Sequence, residues 1–297
     1  MELLEPGVQF YQIPDLKEPC LVAGWPGIGN IGLGAVSYFK EKIGAREFAE
    51  IEPESFFFPH GILVRDGVIQ EMEFPKGKFF YHRAQRDLII FLGEAQPREE
   101  EKIYKLANLV LNVAQRFGVK RVYTAAAAVA PVHHTSEPKV WGVPNNESLI
   151  KELKRYDVVL MSEIEERGGS GNITGLNGLL PGVARERNME GICLLGEIPP
   201  YIAQFPLAYP KASKAILNVL TQMLGVKIDF LEIESYTRHA EREIERLYDR
   251  LPLEVRDELD KLKSVPHIKQ AGRITEEDKR RIMKDVEEFF KKQDKQS

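Results

Sequence analysis

The chain has 297 residues, of which 43% are apolar and 29% charged, with a formal net charge of -4; that length buries a sizeable core as one large domain or two small ones. The near-balance of charge gives no electrostatic reason to expect a nucleic acid or an anionic membrane as partner. Two cysteines, Cys20 and Cys193, exclude a disulfide framework and sit in apolar runs, where buried, reduced thiols are expected.

In chain order, CLVAG (20–24) predicts a strand, and GLGAVSYFKEKIG (32–44) a helix with apolar residues at helical spacing. The aromatic clusters SFFFPH (55–60) and KFFYH (78–82) predict core strands or, because three consecutive phenylalanines cannot all face one side of a strand, a hydrophobic subunit interface. ILVRDGVIQ (62–70) predicts a hairpin, because Asp66-Gly67 supplies the positive φ angles of a type I′ turn. DLIIFLGE (87–94) is a fully buried strand feeding a helix over 97–118, with acidic residues in its first turn and Gly118 at its end. Further strands follow at RVYTAAAA (121–128), VVLM (158–161) and GICLLGE (191–197). Helices are expected within 145–156, 174–188 and 211–225, and Pro181 must kink or restart the second of these.

Strands alternating with helices give an α/β fold, a mainly parallel sheet with helices on both faces. From residue 231 the composition changes. About half of residues 235–297 are charged, and Ile244, Leu247 and Leu251 recur at helical spacing, as do Ile282, Val286 and Phe289. Thr275 with Asp278 resembles a capping box, and 264–272 a linker. The expected division is therefore an α/β core over 1–230 and a charged helical C-terminal extension over 231–297. The N-terminus lacks a basic stretch followed by an apolar core, and the nearly apolar run 125–132 is far short of the roughly 18 residues that span a bilayer. A cytoplasmic protein is expected.

Two glycine-rich stretches carry the functional question. Gly27, Gly29 and Gly32 satisfy G-x-G-x-x-G between a strand and a helix, the context of a dinucleotide fingerprint. Pro26, Asn30 and the lack of a clean acidic strand end further on leave a structural tight turn or another ligand as alternatives. In the second stretch, 168–180, Thr174 is positioned to cap a helix, while the amides of Gly171, Asn172 and Thr174 could hold an anion. Glu94, Gln96, His133, His134, Glu197 and Tyr201 all follow strand ends, where open α/β folds bind ligands. His133 and His134 lack further ligands at metal spacing, so no metal is expected; one histidine is expected to line the rim and the other to face water. His60, His82, His239 and His267 are isolated. No nucleophile elbow, P-loop or H-E-x-x-H is present, so no catalytic residue is assigned and no cofactor is expected.

The run Gly24-Trp25-Pro26-Gly27-Ile28-Gly29-Asn30-Ile31-Gly32, the G-x-x-T-G-L-N-G-L-L segment from Gly171, LLGEIPPY (194–201) and P-x-A-x-x-A-I-L from Pro210 resemble the proteasome assembly chaperone 2 family over roughly residues 18–230. The resemblance implies a three-layer sandwich like that of nucleoside phosphorylases, no established catalysis, homo-oligomerisation and, for some members, proteasome assembly through α-type subunits. Members that dock on proteasome rings are expected to end in a hydrophobic residue, tyrosine and a third residue. This sequence reads Lys-Gln-Asp-Lys-Gln-Ser there, so docking by an inserted tail is not expected. The resemblance transfers no catalytic residue. The alternative is an enzyme or sensor for a nucleoside or phosphate-bearing ligand. It would use the amides of Gly29–Asn30 and Gly171–Thr174, with Glu94, His133 or Glu197 as acid or base.

Overall fold

A computed structural model describes residues 5–58, 61, 63–70, 72–161 and 171–264. The chain runs through β1 (Val8–Phe10), β2 (Cys20–Gly24), α1 (Ile31–Lys42) and β3 (Arg46–Ile51). The short strands β4 (Val64–Arg65) and β5 (Val68–Ile69) precede β6 (Gly77–His82), β7 (Leu88–Gly93) and α2 (Glu100–Arg116). Next come β8 (Arg121–Val129), β9 (Val140–Pro144), α3 (Ser148–Leu153), β10 (Val159–Leu160), α4 (Leu176–Glu186) and β11 (Glu190–Ile198). Helices α5 (Pro200–Ala203), α6 (Pro210–Leu224), α7 (Leu231–Asp249) and α8 (Leu253–Asp260) complete the described part.

Nine strands form one sheet in the order β1-β3-β6-β7-β2-β8-β11-β9-β10. Its centre, β7-β2-β8-β11, is parallel; β6, β3 and β1 extend it antiparallel on one side, and β9 joins β11 antiparallel on the other, with β10 parallel to β9. The α/β class read from the sequence is thus the architecture of the molecule. Buried parallel strands need apolar residues on both faces, and β2 shows why. Cys20 and Val22 enter the core shared with α1 and α6, while Leu21 and Ala23 enter the core shared with α2 and α4.

The α2 helix starts with Glu100 and Glu101 and is followed by left-handed Gly118, as its sequence predicts. Pro181 lies inside α4 and deprives the carbonyl of Asn177 of its helical donor; the hydroxyl of Thr124 on β8 replaces it at 2.5 Å. Asp66 (φ 53°) and Gly67 (φ 76°) form the expected turn between β4 and β5. KFFYH lies in β6, but Ser55–Phe58, the described part of SFFFPH, is not a strand: a turn of 3₁₀ helix at Pro53–Ser55 leads to buried Phe56 and to Phe58, which is 65% exposed under the ammonium of Lys102. Pro53 just before that segment and Pro59 within it each remove a ladder donor and disfavour a strand there. Strand β9, absent from the sequence reading, inserts beside β11.

The helices α7 and α8 form an outer layer. Ile233, Ile244, Tyr248, Leu251, Leu259 and Leu262 are buried in the same core as α1 and α6, and the Tyr38 hydroxyl donates to the carbonyl of Asp229 at 2.9 Å. His60, Gly168, the linker beyond Ser264, His267, the Thr275–Asp278 pair and the stripe Ile282, Val286, Phe289 lie outside the described residues.

Candidate functional site

The first glycine bend joins β2 to α1. Gly29 (φ 60°) and Asn30 (φ 47°) are both left-handed, a conformation glycine adopts freely and asparagine tolerates. A β-carbon on Gly29 would lie 2.9 Å from Ile198 Cδ1, and one on Gly32 only 2.0 Å from the carbonyl oxygen of Ala125. Gly32 therefore lets the first turn of α1 rest on the backbone of the alanine-rich strand β8.

The second bend meets the first through two amide side chains. Asn177, in the first turn of α4, accepts from the Trp25 N–H at 3.2 Å and donates to the Trp25 carbonyl at 3.3 Å. Gln96 donates to the Pro26 carbonyl at 2.5 Å and accepts the Leu176 N–H at 2.8 Å. The two bends do converge, and between them stand Asn177 and Gln96. The Leu176 amide, one of the donors a helix start leaves open, is met by Gln96. Gly175, not Thr174, is the N-cap of α4, with φ 74° and no side-chain cap. Thr174 is exposed and one residue too early for that role; Gly171 and Asn172, read from the sequence as amides for an anion, are exposed as well. Gly27 borders the bridge: a β-carbon there would sit 3.7 Å from Asn177 Nδ2.

The loop after β8 carries His133 and His134 to the strand ends, and α7 and α8 cover it. The expectation that one ring would face water is corrected: both are buried, and because the chain turns here the rings lie 4.0 Å apart, centroid to centroid. The Tyr201 hydroxyl accepts the His134 N–H at 2.9 Å and is 2.8 Å from His134 Nδ1. It therefore donates to Nδ1, leaving the proton on Nε2, which faces Glu245 of α7 at 3.0 Å. The Nδ1 of His133 accepts the Thr135 N–H, so its Nε2–H points toward Asp260 at 3.5 Å, without a hydrogen bond. Tyr248 packs edge-on against His133 and donates to Asp260. Lys211, buried at the start of α6, pairs with Glu241 of α7 at 3.0 Å and Glu137 at 3.4 Å. Burial, reinforced by His134 and Lys263, pushes the His133 imidazole down to about 4. Burial also lowers His134 against the opposing pull of Glu245. Both rings are neutral at neutral pH, and the tyrosine–histidine–carboxylate chain ties the outer helices to the sheet.

Glu197 is buried at the end of β11, where it accepts the Lys139 N–H at 2.9 Å and the Trp141 indole N–H at 3.0 Å, fixing β9. Glu94 is exposed and accepts the Lys76 N–H at 3.0 Å. Strands β2 and β8 lie between β7 and β11, so the strands that carry the two glutamates are about 14 Å apart in the sheet, and the two carboxylates have different partners. Glu94, Glu197 and His133 therefore occupy three separate places. Sequence reasoning missed Asn177, Glu245, Tyr248 and Asp260. Asn177 had a signal, as the lone amide on the apolar face made by Leu176, Leu180, Val183 and Ala184.

On the α1 side of the first bend, α1 and α7, joined through Tyr38–Ile233 and Lys42–Glu232, flank a mainly apolar groove of about 510 Å³. Asn30, Tyr38, Tyr209, Tyr236, Ala240 and Ile244 are among the residues that line it. Among the described residues no three His, Cys, Asp or Glu side chains are grouped to hold a metal ion, and no helix is long and apolar enough to cross a membrane.

Residues 21–248, from β2 through nearly all of α7, match the PAC2 family. The chain belongs to that family. The fold recurs in PbaB of Pyrococcus furiosus, described as an archaeal proteasome activator, at 29% identity and a TM-score of 0.67 over 81% of this chain and 97% of that one. A proteasome-assembly chaperone homologue of Mycobacterium tuberculosis shares the fold at 20% identity and a TM-score of 0.65, over 82% of this chain and 99% of that one. An uncharacterised protein of Methanocaldococcus jannaschii is 29% identical over 237 residues, 79% of this chain and 85% of its own length. The PAC2 match includes both glycine bends and the histidine loop, so the bridge and the covered strand ends lie within the family's own span.

Proposed function

We propose that this PAC2 protein is a non-enzymatic, homo-oligomeric, cytoplasmic factor that binds proteasome α-type subunits and aids the assembly or use of that complex. The observation that carries the reading is the occupation of the strand ends by the chain itself. Asn177 and Gln96 fill the space between the glycine bends, and Glu245, Tyr248 and Asp260 cover the histidines. Groups that a small-molecule enzyme would aim at a substrate are engaged here in holding the fold. The likeness to PbaB, described as an archaeal proteasome activator, supports the proteasome as the partner. Within this reading the chain divides into a core over 1–230 and an extension over 231–297, and α7 and α8 of that extension cover the strand ends. A thermal-shift screen over nucleosides, nucleotides, phosphate, NAD and NADP separates it from the ligand-binding alternative, because a ligand that binds only the native state raises its melting temperature. No shift is expected with any of them; a saturable shift lost on changing Asn30 would replace this reading with a sensor or enzyme.

A further inference from the structure

We infer that the groove between α1 and α7 is the docking site of this chain's own C-terminal segment, residues 275–293, laid into it along the stripe Ile282, Val286 and Phe289. The inference goes beyond the role proposed above, which gives the groove no occupant. Among the described residues the groove is open to solvent although it is mainly apolar, and Tyr236 in its wall is 53% exposed. A concavity of this size and polarity has the dimensions of a binding site. The segment offers the counterpart. Ile282, Val286 and Phe289 recur at i, i+4 and i+7, and Met283 and Phe290 widen the same helical face. A helix of that length is marginal in water by itself and is stabilised by burying its apolar side.

Reach, size and charge agree with that occupant. The last described residue, Ser264, follows Leu262, which is buried in the core that α1, α6 and α7 share, and Lys263 Nζ lies 5.9 Å from the ring of Tyr248 on α7. From Tyr248 back to Ala240, in the groove wall, is about 12 Å along the helix axis. Residues 265–274 reach about 33 Å when extended, so the stripe arrives with chain to spare. The α7 wall of the groove runs from Ile233 to Ile244, about 16 Å, and accommodates the about 10 Å of helix between Ile282 and Phe289. Glu41 and Glu243 line the groove, and no lysine or arginine does. Glu243 already pairs with Arg246 on the exposed surface; exposed Glu41 forms no ion pair among the described residues. Lys279, three residues before Ile282, shares its face and brings a cation to that wall. The wider balance has the same sense: α7 carries six acidic and three basic side chains, and residues 265–297 seven acidic and nine basic. A tether this short holds segment and groove at about millimolar effective concentration, which favours the chain's own segment over that of a second copy.

Hydrogen exchange of the full chain, read by mass spectrometry, tests this. In the wild type, amides over 279–290 are expected to exchange about ten-fold or more slowly than in an unstructured chain. Ala240→Trp fills the groove, and Val286→Asp spoils the stripe at a position beyond the described residues. Each should bring 279–290 to the unstructured rate, and Val286→Asp should also speed exchange in α7 over 236–244, while β2 and β8 keep their wild-type protection. Where Ala240→Trp disturbs β2 or β8, Tyr236→Arg, at an exposed position, takes its place. Protection of 279–290 that survives the groove variant overturns the inference, because the segment then docks elsewhere or stands alone; an unprotected segment in the wild type overturns it as well. A mixture of Ala240→Trp and Val286→Asp chains separates docking within one chain from exchange between copies. The peptide that retains Val286 should stay unprotected in the mixture, and its protection there would make a second copy the occupant and overturn the inference.

Discussion

Acidification should loosen the outer helices, and His133 sets where. An unfolded histidine titrates near pH 6.5, while burial holds His133 at about 4 in the native protein. Between those values the unfolded chain binds a proton that the native chain refuses. Stability is therefore complete above about pH 6.5 and falls as pH drops toward 4. The full shift corresponds to about 3 kcal/mol, and about 2 kcal/mol of it is already lost at pH 5. His134, lowered by the same burial, adds in the same direction. Urea unfolding followed by the fluorescence of Trp25 and Trp141, at pH 7 and pH 5, measures the loss in wild type and in His133→Phe. The variant should lose about 2 kcal/mol less than wild type between the two values, whatever its stability at pH 7. Hydrogen exchange in α8, whose Asp260 faces the ring, should accelerate first. Equal pH dependence in the two proteins would refute the burial argument.

Asn177→Ala removes both bonds to Trp25 and leaves a buried N–H without a partner, so it should cost about 2–3 kcal/mol in urea unfolding at unchanged m-value. A loss below about 0.5 kcal/mol would mean that the bridge contributes nothing to folding. Gly32→Ala places a methyl 2.0 Å from the Ala125 carbonyl oxygen, backbone against backbone. It should cost more than about 3 kcal/mol or leave the protein insoluble, whereas Gly44→Ala, with nothing within 4 Å but φ of 63°, should cost about 1 kcal/mol. A Gly32→Ala protein as stable as wild type would show that α1 does not rest on β8 as described.

The parallel centre of the sheet was legible because strands buried on both faces write continuous apolar runs, as in CLVAG and DLIIFLGE. VWGVP was not, since β9 is short, contains glycine, ends in proline, and owes its place to an antiparallel pairing with β11 some fifty residues away. Aromatic density misled at SFFFPH, where strand propensity gave way to Pro53 and Pro59. The glycine spacing announced a tight bend, but the residue that fills it, Asn177, comes 152 positions after Trp25. No local pattern carries such a pairing. Adjacent histidines point apart only on an extended strand, and the turn at His134 brings the rings together instead. The covered strand ends were hidden for a similar reason: Glu245 and Asp260 sit among dozens of charged residues of the extension, and only tertiary packing distinguishes them from its solvated face.

Sedimentation velocity of this protein mixed with purified proteasome α-type subunits probes the proposed role most directly. A single faster boundary containing both proteins, at micromolar concentration and moderate salt, is the predicted result. Two boundaries moving as each component does alone, with no exchange of mass between them, would contradict it.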